Sequence, residues 1–441
     1  MARTPHSEAE PDYDKIPKRQ LFKHIGPGLV LAATGVGAGD LITSIVAGND
    51  YGYTLVWAVV LAVLIKYPLS EGIGRWSLIS GKSLLHGWHS LGRFCSAYFV
   101  IFLMVSMVIV AAGMTSVAGL AEDAMFPDVL PVPAWAILNA LIAFFIVGFL
   151  REYHVFELIM KIFVGLMFTT MLALAVLLTP SVPGILSGFV PQLPDGSLFQ
   201  VLAIIGGFGG VHSLTYYPYW ARSRGWTSPR WLPVMRADLG VGYLVGGLFV
   251  LSLVVIASEF LFESGIRISD RDGLVLLAEL LGDRFGTVTA WIFLIGFWAA
   301  VSSSVIGNWN GASQIFSDFV RLNRKPKPAT ASTAGADGAQ TTAESDVDEP
   351  IERDMAFYFF LCWITFLPIP LLFLGNPVFL VIAFTVMGSL FFPFLAVTLF
   401  CLLNSKEMGT KYRNGFLANA FLVGIMLFFG WGMVRTLLGL I

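Results

Sequence analysis

Long apolar runs separated by short polar stretches set the pattern of this chain. A helix needs about 20 apolar residues to cross a ~30 Å hydrocarbon core. On that rule, membrane-spanning helices are expected near 26–49, 53–73, 95–121, 132–150, 155–179, 198–220, 238–260, 287–317, 355–374, 377–403 and 415–438. The pattern therefore predicts an all-α polytopic membrane protein with about eleven transmembrane helices. Residues 1–24 form a polar tail, read as cytoplasmic. Residues 322–354 hold Ala, Thr, Ser, Gly and acidic residues but almost no large apolar side chain, so they cannot bury a core. They read as a disordered cytoplasmic linker between the eighth and ninth spans.

Two spans break the apolar pattern. The first reads Thr34-Gly35-Val36-Gly37-Ala38-Gly39-Asp40 in its middle. Glycine weakens a helix, and a carboxylate at membrane depth costs several kcal/mol, on the order of about 3. Non-helical backbone survives in a bilayer only where it faces protein or a wet cavity. A broken helix lining a site is expected here, with Asp40 as the first residue after the break. Asp40 can equally cap the helix that follows, and the glycines can serve close packing. The sixth span carries a second interruption, Gly206-Gly207-Phe208-Gly209-Gly210-Val211-His212-Ser213. Matched interruptions five spans apart point to two inverted halves with a binding site between them. The halves would be 25–179 (spans one to five) and 198–321 with 355–403 (spans six to ten), leaving 415–438 as an eleventh span.

Charge fixes an orientation. Arranged with the N-terminus inside, the cytoplasmic segments collect 21 of the 27 Lys and Arg, among them Arg75, Lys82, Arg222, Arg224, Arg324 and Lys411. The loops near 120–131 and 180–197 hold none. The positive-inside rule thus predicts a multi-pass plasma-membrane protein with a cytoplasmic N-terminus and an extracytoplasmic C-terminus. Only 13% of residues are charged and mean hydropathy is +0.77, values foreign to a soluble domain. A net charge of −2 gives no reason to expect a nucleic-acid partner. Cys95, Cys362 and Cys401 lie in apolar runs without a C-x-x-C pair, which argues against a disulfide framework and a thiolate metal cluster.

The candidate chemistry is sparse. His212 lies deep in a span and could relay protons or simply bond a carbonyl freed by the break, since imidazole titrates near neutrality. Lys66 could neutralise Asp40 or gate the pathway, whereas Lys161 is placed to snorkel beside Glu157. Ser302, Ser303 and Ser304, with Asn308 and Asn310, are expected to join helices rather than touch a substrate. Gly81-Lys82-Ser83 resembles the end of a phosphate loop, but Trp76 stands where its first glycine would fall. No hydrolase or metalloprotease motif appears, so an enzyme is not expected and no cofactor is implied.

Several markers occur in order: Gly26-Pro27-Gly28, Gly37-Ala38-Gly39-Asp40, Ala47-Gly48-Asn49-Asp50-Tyr51-Gly52-Tyr53 and Ser80-Gly81-Lys82. With the eleven-span layout they resemble the Nramp family of divalent metal transporters. The resemblance implies a LeuT-type 5+5 inverted repeat with broken helices one and six, alternating access and often proton coupling. The family's first break is typically Asp-Pro-Gly-Asn, so Gly37 stands at the ligand aspartate and Asp40 at the ligand asparagine. Its sixth-span Met-Pro-His becomes Gly210-Val211-His212, without the methionine. Phe391 replaces the tenth-span glutamine, and spans three and nine lack the family's acidic and arginine residues.

On these residues the expected metal site is Asp40 with carbonyls near Gly37 and Gly207. Hydroxyls of Thr34, Thr43, Ser44 and Ser213 stand nearby. His212, Thr34, Ser213 and Lys66 would serve the substrate pathway or coupling. Such a hard, oxygen-rich site suits Mg²⁺, Mn²⁺ or a monovalent cation. Three functions stay open: a secondary transporter of a divalent cation, a transporter of a small organic solute on the same scaffold, and a non-transporting membrane scaffold. The lipid bilayer and a metal cation or small solute are the expected partners.

Overall fold

Every expected span is helical in the computed structural model, which describes residues 22–150, 152–178, 180–207, 210–262, 272–324, 354–374 and 377–437. The first span is two helices, α1 (Pro27–Gly35) and α2 (Ala38–Tyr51). Then follow α3 (Val56–Ser80), the short α4 (Leu84–Leu91), α5 (Arg93–Met125), α6 (Val132–Phe149), α7 (Tyr153–Leu177) and α8 (Val182–Gly188). The sixth span is again two helices, α9 (Leu198–Gly207) and α10 (Val211–Ser223). The chain continues through α11 (Leu232–Phe260), α12 (Asp272–Phe285), α13 (Thr287–Asn323), α14 (Met355–Phe366), α15 (Pro377–Leu403), α16 (Gly409–Tyr412) and α17 (Phe416–Leu437). Among the described residues, eight helical stretches are long and apolar enough to cross a membrane, or nine if a bent pair at Phe391–Tyr412 is one span.

Two boundaries differ from expectation. The eighth-span helix α13 runs on to Asn323, past the 317 expected, so residues 322 and 323 are helix rather than linker. Most of the expected linker, 325–353, lies outside the described residues, but Asp354 caps α14 by accepting from the Phe357 N–H at 3.0 Å. The third-span helix α5 extends past 121 and includes a buried carboxylate, Glu122, which accepts from Asn139 and Trp298 side chains.

The broken helices sit in the interior. Within one strongly apolar 18-residue window of each, about 70% of the α9–α10 stretch and of α13 is buried, against 33% of α7, so α13 and the broken span form the centre and α7 the rim. Apolar burial gives no net drive between helices in lipid, so close packing and hydrogen bonds hold the bundle. Helix α11 packs along both halves of the first broken span. It approaches α1 through paired glycines: a Cβ on Gly28 would lie 2.1 Å from the Asp238 carbonyl oxygen, and one on Gly242 2.2 Å from the Gly28 carbonyl oxygen. Helix α13 meets α1 the same way, because a Cβ on Gly307 would fall 1.9 Å from Thr34 Oγ1.

Polar clamps fasten the ends. Both oxygens of Asp238 accept from the start of α1, Gly26 N–H at 2.8 Å and Gly28 N–H at 2.6 Å, and Tyr217 adds a third bond at 2.9 Å. Ser83 and Tyr219 both donate to Asp318 at 2.6 Å, which joins α4 and α10 to the end of α13. Lys161 pairs with buried Glu157 at 2.6 Å, one turn away as the sequence spacing requires, and Arg224 reaches the same carboxylate at 3.1 Å.

Candidate cation site between two broken helices

The first break is two residues long. Val36 and Gly37 leave the helix in extended conformations, and α2 resumes at Ala38. Asp40 is therefore not the first residue after the break but the third of α2. From there its Oδ2 reaches back to accept from the Gly37 N–H at 3.1 Å. This is one half of a capping box, whose other half a glycine cap cannot supply. Position 37 needs glycine for space, not for its dihedrals: a Cβ there would lie 2.7 Å from Ser304 Oγ.

Carbonyls released at this break are taken up by α13. Ser303 and Ser304 donate to the Ala33 carbonyl at 2.9 and 3.0 Å, and Ser304 also donates to Val36 at 2.9 Å. These serines join helices, as expected. A buried, broken backbone demands such partners, because in lipid no water is at hand to replace them.

The second break differs in mechanism. Gly210 has φ +34°, a left-handed value that disfavours any side chain, and it caps α10. Its N–H donates to the Gly207 carbonyl at 2.9 Å, while Lys66 Nζ donates to the Gly206 carbonyl at 3.2 Å. Phe208 and Gly209 of the expected break lie outside the described residues.

One cavity lies between the breaks. Thr34, Gly35, Gly37, Gly39 and Asp40 line it from the first span, and Gly206, Gly207, Gly210, Val211, His212 and Ser213 from the sixth. The cavity measures about 30 Å³, room for about two waters. Asp40 is 2% exposed, and its Oδ1 lies 3.6 Å from where a Cβ of Gly207 would sit, so the carboxylate faces the other broken helix directly.

The fold thus gathers six of the seven expected site residues into one wall: Asp40, Gly37, Gly207, His212, Thr34 and Ser213. The seventh, Lys66, does not line the cavity; it stands behind Gly206 on α3. Thr43 and Ser44 are also absent from the lining, and Thr43 instead donates to the Gly39 carbonyl at 2.8 Å. The Gly37 and Gly207 carbonyls each already accept one backbone hydrogen bond, from Leu41 and Gly210, which leaves each one further lone pair.

His212 bonds a hydroxyl rather than a freed carbonyl. Its Nε2 is 2.8 Å from Ser106 Oγ, whose proton goes to the Phe102 carbonyl at 2.6 Å. The imidazole stacks on Phe102 at 5.4 Å, and Phe102 stacks in turn on Phe391 at 4.6 Å. The tenth-span side of the cavity is lined by Phe384, Thr385 and Gly388, while Phe391 backs the His212–Phe102 stack.

Six lining residues lay outside the expected site and its glycine breaks: Val110, Met114, Asn308, Phe384, Thr385 and Gly388. Met114 brings a thioether from α5, and Asn308 an amide from α13; the Asn308 side chain lies 3.6 Å from the Met114 sulfur. The Met114 methyl would be 3.4 Å from a Cβ on Gly37, next to the Asp40 cap. A methionine in an apolar span carries no signal of its own, and Asn308 had been read as a helix-joining residue. The cavity wall is therefore oxygen-rich but also holds one soft sulfur.

Comparison with known proteins places this geometry. The chain is similar to the divalent metal cation transporter MntH of Listeria welshimeri, 22% identical over 323 residues that cover 70% of each chain. Its fold matches the crystal structure of a manganese transporter mutant of Eremococcus coleocola with a TM-score of 0.74, at 16% identity, covering 96% of this chain and 89% of that one. A wider likeness reaches MhsT, solved with L-phenylalanine, at a TM-score of 0.56 and 13% identity, covering 96% and 99%. The all-helical architecture with two broken helices is thus of the LeuT type. The model of the natural resistance-associated macrophage protein-like family matches residues 28–438, nearly the whole length, and this chain belongs to the Nramp family.

Proposed function

We propose that this protein is a secondary transporter that moves a divalent metal cation across a membrane by alternating access, with Asp40 as the charged ligand. The observation that carries the reading is the buried Asp40 carboxylate in a cavity between two broken helices, on a chain of the Nramp family. Broken helices present carbonyls and half-helix ends to a bound ion at the membrane midplane. The second lone pairs of the Gly37 and Gly207 carbonyls, with the oxygens of Thr34, Ser213 and Asn308, are the remaining hard donors. Met114 supplies a softer one, and that donor set favours Mn²⁺ or Fe²⁺ over a purely oxygen-seeking ion. The space of about two waters supports a small ion over an amino acid.

The same reading assigns residues 25–179 to one half and 198–321 with 355–403 to the other, with α17 as an eleventh span. It sets the N-terminus in the cytoplasm, the C-terminus outside and the protein in the plasma membrane; the concentration of Lys and Arg on one set of loops supports this orientation. Influx of Mg²⁺, Mn²⁺, Fe²⁺ and Ca²⁺ into proteoliposomes carrying an internal pH dye tests the function. Saturable influx in wild type and its loss in Asp40→Ala are expected. Absence of influx for every metal, with protein correctly inserted, would overturn the reading.

A further inference from the structure

The α9 half-helix ends at Gly207, so its last carbonyls point out of the helix at the break and carry the negative end of its dipole. A cation is the natural occupant of such a position. The structure fills it with a side chain of the protein itself. Lys66, in the middle of α3, has no exposed surface at all, and its Nζ donates to the Gly206 carbonyl at 3.2 Å. The same Nζ stands 4.3 Å from the centroid of the Phe392 ring on α15, over its negative face. The Asp40 carboxylate faces Gly207, the residue next to the one whose carbonyl Lys66 holds. Carbonyl, ring face and carboxylate are the set of groups that stabilise an ammonium ion out of water, where a lysine without them would be very costly.

We infer that Lys66 is a resident cation behind the transport site: its ammonium group occupies the helix end at Gly206, outside the cavity lining, and sets the charge that an incoming metal ion meets at Asp40. This inference rests on the proposed metal transport and concerns the specificity of the same cavity. With Asp40 alone the site would carry one negative charge and hold a dication tightly. With a charged Lys66 behind Gly206 the pair is neutral, and a dication binds Asp40 against the field of that positive charge. Lys66 thereby weakens the grip on the substrate, and it eases release when the site opens to the other side. It also denies the helix-end position to a free monovalent cation.

The charge has a consequence that a merely structural lysine does not share. Lys66→Met keeps the length and apolar stem but removes both charge and donor; Lys66→Gln removes the charge and keeps a donor for Gly206. Mn²⁺ binding is measured by titration calorimetry on detergent-purified protein, and Mn²⁺ influx on the same variants in proteoliposomes. At an effective dielectric of about 20, one positive charge within about 20 Å of a dication is worth at least about tenfold in affinity. The expected result is that Met and Gln variants both bind Mn²⁺ at least about tenfold more tightly than wild type, with a lower KM and a lower turnover, whereas Lys66→Arg stays near wild type. Equal or weaker binding in Lys66→Gln, or binding lost in Lys66→Met and restored in Lys66→Gln, would overturn the inference and leave Lys66 a hydrogen-bonding strut. Tighter binding in the variants with no wild-type influx would support the role of Lys66 while sinking metal transport. Protein that binds Mn²⁺ in no variant overturns both.

Discussion

Asp40 and Asp50 are ten positions apart on one helix, yet only the first is buried; Asp50 is exposed at the far end of α2, where it accepts from Asn49 at 2.9 Å. A carboxylate that binds a cation in a dry cavity is worth far more than one in water. Asp40→Asn should therefore raise the KM for Mn²⁺ at least tenfold, and Asp50→Asn by less than about twofold, in the same influx assay. Comparable small effects at both positions would remove Asp40 from the site. Met114 is separable from Asp40 because its thioether matters only to softer ions. Met114→Leu conserves volume, so packing should change little. Competition by Cd²⁺ against Mn²⁺ influx should weaken several-fold in this variant while Mg²⁺ competition stays near wild type. A parallel shift for both ions would make Met114 a packing residue only.

The start of α1 is the element most firmly tied down. Three hydrogen bonds converge on Asp238, from Gly26, Gly28 and Tyr217, so one α11 carboxylate caps the first half-helix and joins it to α10. A carboxylate at a helix N-terminus gains from both the free N–H groups and the dipole. Glu157 lies over the same end, since a Cβ on Gly26 would be 2.2 Å from its Oε1. Asp238→Asn keeps the shape but loses the charge and turns one acceptor into a donor facing an N–H group. It should cost about 1–3 kcal/mol and lower the melting temperature of the purified protein by several degrees. A melting curve that coincides with wild type would show the clamp to be dispensable. Removal of the restraint should also loosen α1 against α11, which limited proteolysis near residue 26 would register.

At the scale of the whole molecule, the broken helices are held by partners from nearly every other element. Ser303 and Ser304 of α13 satisfy the first break, Lys66 of α3 the second, and Gln200 of α9 bonds the Thr43 carbonyl of α2 across the two spans. A rearrangement of either half must exchange these bonds as a set, which favours discrete states over gradual bending. The orientation assigned from charge can be read on the intact cell. A cysteine at Asp195, in a loop without Lys or Arg, should react with a membrane-impermeant maleimide added outside, and one at Lys406 only after the membrane is opened. The reverse pattern would invert the topology.

The apolar runs of about 20 residues, the glycine interruptions at 35–39 and 206–210 and the basic loops were enough to read a polytopic bundle with two broken helices and a buried carboxylate. Length, hydropathy and charge act locally or through the bilayer, so a single sequence displays them. Local pattern also singled out Asp40, because a carboxylate directly after a glycine run in an apolar span is costly wherever the chain runs. It could not show that Gly37 yields space to Ser304, that Asp40 folds back as a cap, or that Met114 and Asn308 complete the wall. Nor could it place Lys66 behind Gly206 rather than in the cavity. Those facts depend on which faces of α3, α5 and α13 turn inward, and on Thr43 and Ser44 turning elsewhere. Helix rotation in lipid is set by packing and interhelical hydrogen bonds between segments far apart in the chain, and hydropathy along one segment is nearly blind to it.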